Sequence, residues 1–391
     1  MRVLVLGGAG TVGRLIVREL ARDGVETLVA DLDEAGAARV AKDFGGGKAT
    51  SARVDVRDAA SLAKVLRGSA VCINSSQYYF NLDVMQACLG SRVGYLDLGG
   101  LFHVTRKQLE LSEAYHEAGV MAVLGIGSCP GVSNVQAGWL GGMLDRVESI
   151  RIYNGTSPEE DDPLAAPYSI QTILDEIGMA PMVFREGEFA ESDPLGGEET
   201  YDFPEPIGRV KTHLSLHSEV ATIPLTFAAK GIQECFFKIN FFGFSEAAGR
   251  KLEFLVRLGL ASADPVKVAG QPVSPRSVLL ELLKQKSRTT SEPAARLFRD
   301  VVTEARGTQG GKPVMLRVDT TGWSEDAPGA VAPRLVSAAP AIVGRWMGEG
   351  KLHRPGVWAP EVIVEPEPFF AEMAQRGFRT SLTRTESTFE G

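Results

Sequence analysis

The fold of this 391-residue chain is decided by the stretch Val3-Leu4-Val5-Leu6-Gly7-Gly8-Ala9-Gly10-Thr11-Val12-Gly13. An apolar, β-prone run leads into a Gly-x-Gly-x-x-Gly motif, and the residues from Val12 to Leu20 continue as an amphipathic helix. Gly8 permits the tight turn, Gly10 lets the backbone approach a pyrophosphate, and Gly13 lets the helix pack on the strand. This order predicts a dinucleotide site, with the phosphates at the amino terminus of the helix.

The predicted cofactor contacts extend beyond the glycine motif. Asp31 ends the next predicted strand, where an acid accepts hydrogen bonds from the adenosine ribose hydroxyls. Its charge would repel a 2′-phosphate and Leu32 cannot neutralise it, which favours NAD over NADP. Arg53 or Arg57 could still reach such a phosphate. The remaining predicted cofactor contacts lie in the glycine turn and at the ends of the second, third and fourth strands, and are Thr11, Val12, Leu32, Asp55, Val56, Asn74 and Ser75.

Strands and helices alternate through the first third of the chain. Six short β-prone runs follow one another, at 2–7, 27–31, 53–55, 71–74, 94–98 and 120–125. A helical stretch at 106–118 precedes the last of them. Strands that alternate with helices of this length form right-handed βαβ units on a parallel sheet. We therefore predict an α/β protein with an amino-terminal, doubly wound Rossmann sheet.

The pattern changes after Pro130-Gly131. From Ile150 onward the β-prone segments alternate hydrophobic and polar residues, as expected of antiparallel strands. In the predicted strand 211–220 this alternation places His217 and Glu219 on one face. Further strands are predicted at 232–242 and 314–318, and helices at 170–177, 245–258 and 276–284.

Composition argues against several classes of partner. The chain has 41 basic and 49 acidic residues, a net charge of −8, whereas nucleic-acid binding needs a basic face. No stretch approaches the roughly 20 apolar residues of a membrane span. The four cysteines form no Cys-x-x-Cys pair, and the chain opens without a signal-peptide pattern. We therefore expect a cytoplasmic protein with neither nucleic acid nor membrane as a partner.

Negative charge is concentrated in one segment. Between Pro158 and Pro206, fourteen Asp and Glu residues accompany one basic residue, Arg185. One interpretation is a solvated loop region. The other is an acidic rim that attracts an amine-bearing substrate by long-range steering.

The sequence has none of the motifs that mark several other classes of enzyme. Short-chain dehydrogenases need Tyr-x-x-x-Lys, and no tyrosine here has a lysine four residues on. Gly-x-Ser-x-Gly, His-Glu-x-x-His and a P-loop lysine are also missing from the sequence. His213 and His217 have a spacing that suits a metal site on a helix, but they lie on the predicted strand, so we expect no metal.

Motifs beyond the glycine turn extend over nearly the whole chain. In order they are Cys72-Ile73-Asn74, Gly94-Tyr95-Leu96-Asp97-Leu98, Gly125-Ile126-Gly127-Ser128-Cys129-Pro130-Gly131-Val132-Ser133-Asn134, His217-Ser218-Glu219-Val220-Ala221-Thr222-Ile223-Pro224, Leu258-Gly259-Leu260, Pro265-Val266, Val273-Ser274-Pro275 and Gly356-Val357-Trp358-Ala359-Pro360-Glu361. Together they resemble the saccharopine dehydrogenase-like family, which includes saccharopine reductases, lysine 6-dehydrogenases and carboxynorspermidine dehydrogenases. The Pro-Gly segment and the terminal segment are the more specific parts.

The resemblance implies a Rossmann domain at 1–132, completed by 334–391, and a mixed α/β domain at 133–333 that binds substrate and makes a homodimer contact. It also implies hydride transfer between NAD or NADP and the amine or imine carbon of a small, amino-acid-like substrate. The matching cofactor positions are Gly8, Gly10, Gly13, Asp31, Asn74 and Ser75. Two alternatives remain open. One is an NAD(P)-binding protein of this fold without catalysis, and the other is a reductase of a carbonyl or imine compound that is not an amino acid.

Oxidation of an amine needs a group that accepts a proton near the nicotinamide. We favour His217 as this acid/base, with Glu219 as its orienting partner or as an ammonium contact. Asp97, at the end of the fifth strand, is a further candidate. Arg209 and Lys211, just upstream of His217, could clamp a substrate carboxylate.

Cys129 marks a departure from the family. The resemblance places an acid before the Pro-Gly pair, near the reacting carbon, and this chain has a cysteine there. A thiol can carry a proton or hold a substrate, but it is neutral at pH 7 unless its pKa is lowered. A small residue that fills the turn is the other interpretation. Gln77 is a further candidate substrate contact.

Overall fold

The computed structural model describes residues 1–157, 169–240, 245–287, 297–323 and 334–386. The strands in these ranges are β1 (Arg2–Leu6), β2 (Glu26–Asp31), β3 (Ala49–Arg53), β4 (Val71–Asn74), β5 (Gly94–Asp97), β6 (Met121–Val123), β7 (Arg146–Ser157), β8 (Met182–Arg185), β9 (Glu188–Glu191), β10 (Glu199–Asp202), β11 (Arg209–Leu214), β12 (Glu234–Ile239), β13 (Val266–Val268), β14 (Gln271–Val273), β15 (Phe298–Gln309), β16 (Lys312–Trp323), β17 (Gly356–Trp358) and β18 (Arg379–Glu386).

The helices in the same ranges are α1 (Gly13–Arg22), α2 (Glu34–Phe44), α3 (Ala59–Leu66), α4 (Asn81–Ser91), α5 (Leu101–Leu109), α6 (Ser112–Glu117), α7 (Val132–Met143), α8 (Ile170–Gly178), α9 (Glu219–Thr226), α10 (Glu246–Arg257), α11 (Pro275–Ser287), α12 (Arg334–Gly348), α13 (Pro360–Ile363) and α14 (Pro366–Gln375). Short 3₁₀ turns occupy Tyr78–Phe80 and Ala228–Lys230.

The first sheet is parallel throughout, with strand order β17-β6-β5-β4-β1-β2-β3. The strand order reverses between β1 and β4, and this is where a doubly wound sheet opens its ligand crevice. Register aligns Leu6 with Asn74, and Asn74 with Asp97, so the carboxyl ends of β1, β4 and β5 meet at one edge. The predicted α/β class and Rossmann sheet are confirmed.

The carboxy-terminal segment packs on this sheet. β17 extends it beside β6, and α12 buries its apolar face in the same core as β1 and β4. Ion pairs join α12 and the residue that follows α14 to α1 and the residue that follows it. Arg376 lies 3.2 Å from Glu19, and Arg345 lies 3.1 Å from Asp23. Arg376 and Glu19 are both buried, so this contact belongs to the interior.

The second sheet is mixed, with strand order β10-β11-β12-β7-β15-β16-β18 and with β8 and β9 attached to β12. The expectation of antiparallel strands from Ile150 onward holds for most pairs, but β12 and β7 are parallel. The long β15–β16 hairpin contains the predicted strand 314–318. The β15 half of that hairpin went unpredicted because it buries polar side chains such as Arg299 and Thr303, which break the hydrophobic pattern.

Three predicted elements are wrong in their bounds. The strand 53–55 ends at Arg53, because β3 is a polar edge strand that carries little apolar signal. The helix 106–118 is two helices, α5 and α6. The strand 211–220 ends at Leu214, and α9 begins at Glu219, where an acid in the first turn favours a helix. Part of the predicted strand 232–242 lies outside the described residues.

The helix α7 joins the two halves of the molecule. Val132 and Val135 belong to the core under the first sheet, whereas Ala137 and Leu140 belong to the core under the second. The turn that precedes α7 needs a glycine. Gly131 has a φ of +127°, and a Cβ there would lie 2.2 Å from the carbonyl oxygen of Gly127. The Cys129-Pro130-Gly131 turn is therefore fixed between the two sheets.

Candidate active site

A cavity of about 340 Å³ lies between the two sheets, at the carboxyl edge of the first. One wall, called the cofactor wall because the sequence predicts the dinucleotide there, consists of Gly10, Thr11, Val12, Ser75 and Ser76. The polar wall consists of Cys129, Glu176, His217 and Arg299. The rest of the lining includes Gln77, Tyr78, Leu98, Asn154, Thr172 and Ile239. The structure thus brings together the glycine turn with three of the predicted substrate-side residues, Gln77, Cys129 and His217.

Of the three glycines in the motif, only Gly10 leaves space at its backbone for a ligand. A Cβ at Gly8 would lie 2.5 Å from Cγ1 of Val29, and one at Gly13 would lie 2.2 Å from the carbonyl oxygen of Gly7, so packing requires both glycines. A Cβ at Gly10 would meet only the carbonyl oxygen of Gly7, at 3.1 Å, and Gly10 lines the cavity. Gly10 therefore keeps its backbone open to the cavity. The positive φ of the turn belongs to Gly7, at +72°, rather than to Gly8.

Asp31 lies against the glycine turn. Its Oδ2 accepts a hydrogen bond from the amide of Ala9 at 3.0 Å, and its Oδ1 accepts one from the amide of Asp33 at 3.0 Å. These contacts hold the carboxylate beside the glycine turn, and an acid at the end of this strand is the one that the sequence predicts to meet the adenosine ribose. Leu32 is half exposed beside it.

Asp55 and Arg57 form a bidentate pair, with Nη2 of Arg57 2.7 Å from Oδ2 of Asp55. This hydrogen bond to Arg57 lowers the pKa of Asp55 to about 2. Because Arg57 is paired with Asp55, it is less available to bind a 2′-phosphate than the sequence suggested. The neighbouring Val56 is half-buried against the core on the outer side of the first sheet.

Asn74 and Ser75 end β4 but have different surroundings. Asn74 is buried and does not line the cavity. Its Nδ2 donates to Oδ1 of Asn81 at 3.0 Å, and its Oδ1 accepts from the hydroxyl of Ser76 at 2.5 Å. Ser75 lines the cavity and donates its hydroxyl to the carbonyl oxygen of Leu6 at 2.6 Å. Asn74 therefore stabilises the loop after β4, and Ser75 and Ser76 are the residues of that loop that line the cavity.

His217 lies on the polar wall in a fixed orientation. Its Nδ1 is 2.6 Å from Oε2 of Glu219, and its ring stacks on Phe237 with 3.8 Å between ring centres. Glu219 is fully buried, and its Oε1 accepts the hydroxyl of Ser133 at 2.7 Å. A hydrogen on Nδ1, donated to the carboxylate, leaves Nε2 of the neutral imidazole as an acceptor. This is the arrangement by which a carboxylate orients a histidine for proton transfer.

The charges around His217 decide its basicity. Burial lowers the pKa of His217, but the charge and hydrogen bond of Glu219 and the charge of Glu176 act in the opposite direction, and the pKa is raised. Oε1 of Glu176 lies 4.0 Å from Nε2 of His217. The imidazole therefore lies between two carboxyl groups and is a stronger base than an ordinary histidine.

Cys129 is a neutral thiol at pH 7. Burial raises its pKa well above the usual value, the charge of Glu219 adds to this effect, and Arg299 only partly opposes it. A thiol in this state is a weak nucleophile, and it can donate a hydrogen bond or fill the turn. The residue lines the cavity beside Pro130.

Asp97 is a hydrogen-bond centre behind the cavity and does not line it. Its carboxylate is fully buried and accepts the amides of Gly99 and Gly125 at 3.0 and 2.7 Å, the hydroxyl of Tyr95 at 2.8 Å and Nε2 of Gln108 at 2.6 Å. Burial raises the pKa of Asp97, although these hydrogen bonds oppose the effect. The position suits a role in holding the two turns rather than a direct catalytic one.

Arg209 and Lys211 lie outside the cavity. Both are exposed on β11, where Arg209 is 3.7 Å from Asp202 and Lys211 is 3.1 Å from Glu198. The prediction placed Arg209 and Lys211 near His217 because it assumed one continuous strand from 211 to 220. In the structure β11 ends at Leu214. Arg299, which is 3% exposed, is the arginine that lines the cavity.

Sequence reasoning missed Glu176, Arg299 and Ser133. A signal for Glu176 was present, because residues 173, 176 and 177 share one face of the predicted helix 170–177, and the other two are buried isoleucines. Arg299 and Ser133 gave no comparable signal. Ser133 reaches Glu219 across 86 residues of chain.

The described part of the acidic segment does not act as one unit. Asp175 and Glu176 are buried, whereas Glu186, Glu188 and Glu191 are exposed. Residues 158–168 lie outside the described ranges. Within those ranges, no three His, Cys, Asp or Glu side chains are grouped as metal ligands, and no helix has the length and apolarity to cross a bilayer.

Comparisons with known proteins identify the family of the chain. The family model described as the saccharopine dehydrogenase NADP binding domain matches residues 3–123, and the saccharopine dehydrogenase C-terminal domain matches residues 127–378. The carboxyaminopropylagmatine dehydrogenase of Synechocystis sp. is 24% identical, over 96% of each chain. The carboxynorspermidine synthase of Vibrio cholerae is 24% identical, over 84% of this chain and 82% of the relative.

A solved structure shows the same fold. The saccharopine dehydrogenase (L-Glu forming) of Saccharomyces cerevisiae, in its apo form, matches with a TM-score of 0.74 at 17% identity, over 98% of this chain and 99% of the yeast chain. The match includes both sheets, because it covers nearly all residues of each protein. The resemblance seen in the sequence is confirmed, and the chain belongs to the saccharopine dehydrogenase family of NAD(P)-dependent oxidoreductases.

Proposed function

We propose that this enzyme transfers a hydride between NAD(P) and the carbon of a C–N bond in an amino-acid-like secondary amine. One observation carries the proposal. A single cavity of about 340 Å³ joins the glycine turn to an oriented histidine and a buried arginine. The space suits a small substrate beside a nicotinamide ring, with a base and a cation within the same wall.

The cofactor wall would hold the dinucleotide. Gly10 and the amino terminus of α1 would receive the pyrophosphate, Asp31 the adenosine ribose, and Ser75 and Ser76 the nicotinamide end. When bound, the nicotinamide accepts or supplies the hydride. Asp31 and the engagement of Arg57 by Asp55 support a preference for NAD over NADP.

His217 is the proposed acid/base. In the oxidative direction, Nε2 takes a proton from the substrate ammonium and leaves a neutral amine. The C–H bond at the neighbouring carbon then breaks with its electron pair leaving as hydride, and the nitrogen lone pair forms the C=N bond of a protonated imine. In the reverse direction His217 returns the proton to the amine. Glu219 keeps the Nδ1 proton in place, so that Nε2 faces the substrate.

Arg299 is the proposed contact for a substrate carboxylate. It is buried on β15 and lines the cavity on the same wall as His217. A guanidinium binds a carboxylate through two parallel hydrogen bonds, which fixes position as well as charge. Arg299 thereby takes the role that the sequence suggested for Arg209 and Lys211. Cys129, a neutral neighbour, would contact the substrate without ionising.

The named activities of the relatives suggest the substrate class. Carboxyaminopropylagmatine and carboxynorspermidine, like saccharopine, combine a carboxylate with a secondary amine. We propose that the substrate has both groups. The test is to incubate the purified enzyme with each of these three compounds and with NAD⁺ or NADP⁺ while absorbance of the reduced cofactor is recorded.

Turnover of at least one secondary amine would support the proposal. Binding of reduced cofactor without turnover of any of them would favour an NAD(P)-binding protein without catalysis. Turnover confined to added aldehydes and ketones would favour the carbonyl reductase alternative.

We also propose a division into a Rossmann domain, 1–132 completed by 334–391, and a substrate and dimerisation domain, 133–333. Within 334–391, β18 departs from this division, because it pairs with β16 in the second sheet. Support comes from the packing of α12 and β17 on the first sheet and from the separate cores that meet at α7. A cytoplasmic homodimer is the expected state, given the free cysteines of the described residues and the prevalence of twofold dimers. Light scattering on the purified protein would report the dimer.

A further inference from the structure

Glu176 belongs to none of the sequence motifs, but it is a buried carboxyl group on the cavity wall. It lies on α8, is 4% exposed, and has Oε1 4.0 Å from Nε2 of His217. His217 therefore has Glu219 at Nδ1 and Glu176 on its Nε2 side. His217 and Glu176 both line the cavity, whereas Glu219 does not, so Nε2 is the ring nitrogen that would meet the substrate nitrogen.

The preceding acid, Asp175, shows that α8 is held in place by other contacts. Oδ1 of Asp175 lies 2.7 Å from Nη2 of Arg276, and its Oδ2 accepts the hydroxyls of Tyr78, at 3.0 Å, and Tyr79. These contacts join α8 to α11 and to the loop after β4. Two adjacent acids on one helix thus have different surroundings. Asp175 anchors the helix, and Glu176 lines the cavity.

The ionisable side chains around the cavity indicate a role for Glu176. Among the described residues, the ionisable side chains that line the cavity are Tyr78, Cys129, Glu176, His217 and Arg299. Glu219 lies behind His217. Loss of a hydride from a neutral amine leaves a protonated imine, and this positive charge forms in a site already occupied by Arg299. A buried carboxylate close to the nitrogen is the group that would stabilise such a charge.

We propose that Glu176 is a catalytic residue that stabilises the positive charge developing on the substrate nitrogen as the hydride leaves. This inference rests on the proposed C–N oxidation. The nitrogen would contact both Nε2 of His217, which takes its proton, and the carboxylate of Glu176, whose Oε1 lies 4.0 Å from that Nε2. In the reductive direction the same carboxylate would hold the imine in its protonated form, which accepts a hydride more readily.

The test compares Glu176→Gln and Glu176→Asp with the unchanged enzyme on whichever of the three secondary amines it oxidises. Glu234→Gln is a matched control, since Glu234 is a half-buried carboxylate paired with Arg151 outside the cavity. Steady-state kcat and KM, the pH profile of kcat/KM, and NADH binding by fluorescence are measured for each. NADH binding and the thermal midpoint report whether each variant is folded.

We expect Glu176→Gln to lower kcat about 100-fold or more, the size of effect seen when one preorganised electrostatic partner is removed. KM and NADH binding should change less than about threefold. The acid limb of the oxidation profile should move to lower pH, because the charge of Glu176 raises the pKa of His217. Glu176→Asp should recover part of kcat, and Glu234→Gln should match the unchanged enzyme.

A folded Glu176→Gln enzyme with kcat within about threefold of the unchanged enzyme would overturn the inference. So would a loss confined to KM, which would make Glu176 a contact for a remote cationic group. If Glu176→Gln does not fold, Glu176→Met, which also removes the charge, replaces it, and a folded Glu176→Met enzyme with kcat within about threefold of the unchanged enzyme would overturn the inference too. No amine turnover by the unchanged enzyme would instead overturn the proposed function, and this inference with it.

Discussion

The two walls of the cavity are built in different ways. The cofactor wall comes from two short stretches that directly follow β1 and β4, and it presents mainly backbone and small side chains. The polar wall comes from four separate segments, and its side chains depend on partners far away in the chain. Glu219, for example, holds His217 on one side and Ser133 on the other.

This difference has consequences for substitution. A wall made of backbone tolerates side-chain changes, except where a Cβ would fill the space that a ligand needs. A wall made of buried, hydrogen-bonded side chains loses function when any one of them loses its partner. Substitutions on the cofactor wall, on the polar wall and outside both should therefore differ in kind and in size.

Replacement of His217 should have the largest effect. His217→Asn is expected to lower kcat about 10²–10⁴-fold, because the proton acceptor is removed, while NADH binding changes less than about threefold. Stopped-flow and steady-state assays with the oxidised amine would measure the loss. His213→Asn is the control, since His213 contacts the carbonyl oxygen of Leu195 and does not line the cavity. Equal losses in both variants would contradict the assignment.

Replacement of Glu219 should change the pH dependence. The neutral form of His217 is needed for amine oxidation, so activity should fall as the pH drops through its raised pKa, which lies above the usual 6.5. Glu219→Gln removes the main contribution that raises this pKa and should move the acid limb to lower pH, with kcat about 100-fold lower because the tautomer is no longer fixed. An unmoved limb in the kcat/KM profile would argue against His217 as the titrating group.

The glycines of the cofactor wall should separate binding from folding. Gly10→Ala is expected to weaken NADH binding about tenfold or more with little change in the thermal midpoint, because Gly10 lines the cavity and an added methyl group would hinder the approach of a pyrophosphate to its backbone. Gly13→Ala should lower the free energy of unfolding by several kcal/mol, because its Cβ would overlap the carbonyl oxygen of Gly7. Fluorescence titration and thermal melting would distinguish the two. A melting loss in both variants would contradict the comparison.

Asp31 should set the choice of cofactor. Asp31→Ser removes the negative charge that faces a 2′-phosphate and should raise the ratio of NADP to NAD affinity about tenfold. Dissociation constants for NADH and NADPH, measured side by side, would show the shift. Tighter binding of NADPH than NADH by the unchanged enzyme would overturn the NAD preference.

The smallest effect is expected on β11. Arg209→Ala and Lys211→Ala should each leave kcat/KM within about twofold, because both side chains are exposed and outside the cavity. Arg299→Met should instead raise KM at least tenfold, through loss of the bidentate carboxylate contact. The same amine oxidation assay would rank the three. A large loss in Arg209→Ala would restore the role first inferred from sequence.

Features that depend on residues close together in the sequence could be predicted, whereas features that depend on distant residues could not. The glycine turn and Asp31 could be predicted because their contact lies within one βαβ unit, and the strand ends could be predicted from the repeated alternation of strands and helices. His217 and Glu219 were paired for the wrong local reason. They meet across the junction between Ser218 and α9, rather than on one strand face. Arg299 could not be found, because its position depends on a hairpin paired with β7.

The amino-acid sequence by itself determined the Rossmann sheet, the place of the glycine turn and the family, since these depend on short-range patterns of apolar residues and glycines. Only the tertiary structure decided which ionisable groups share the cavity. Glu176, His217 and Arg299 come from α8, the start of α9 and β15, and long-range strand pairing and packing around α7 bring them together. Side-chain charge can be read from a sequence, but the burial that makes a charge chemically effective is a property of the folded chain.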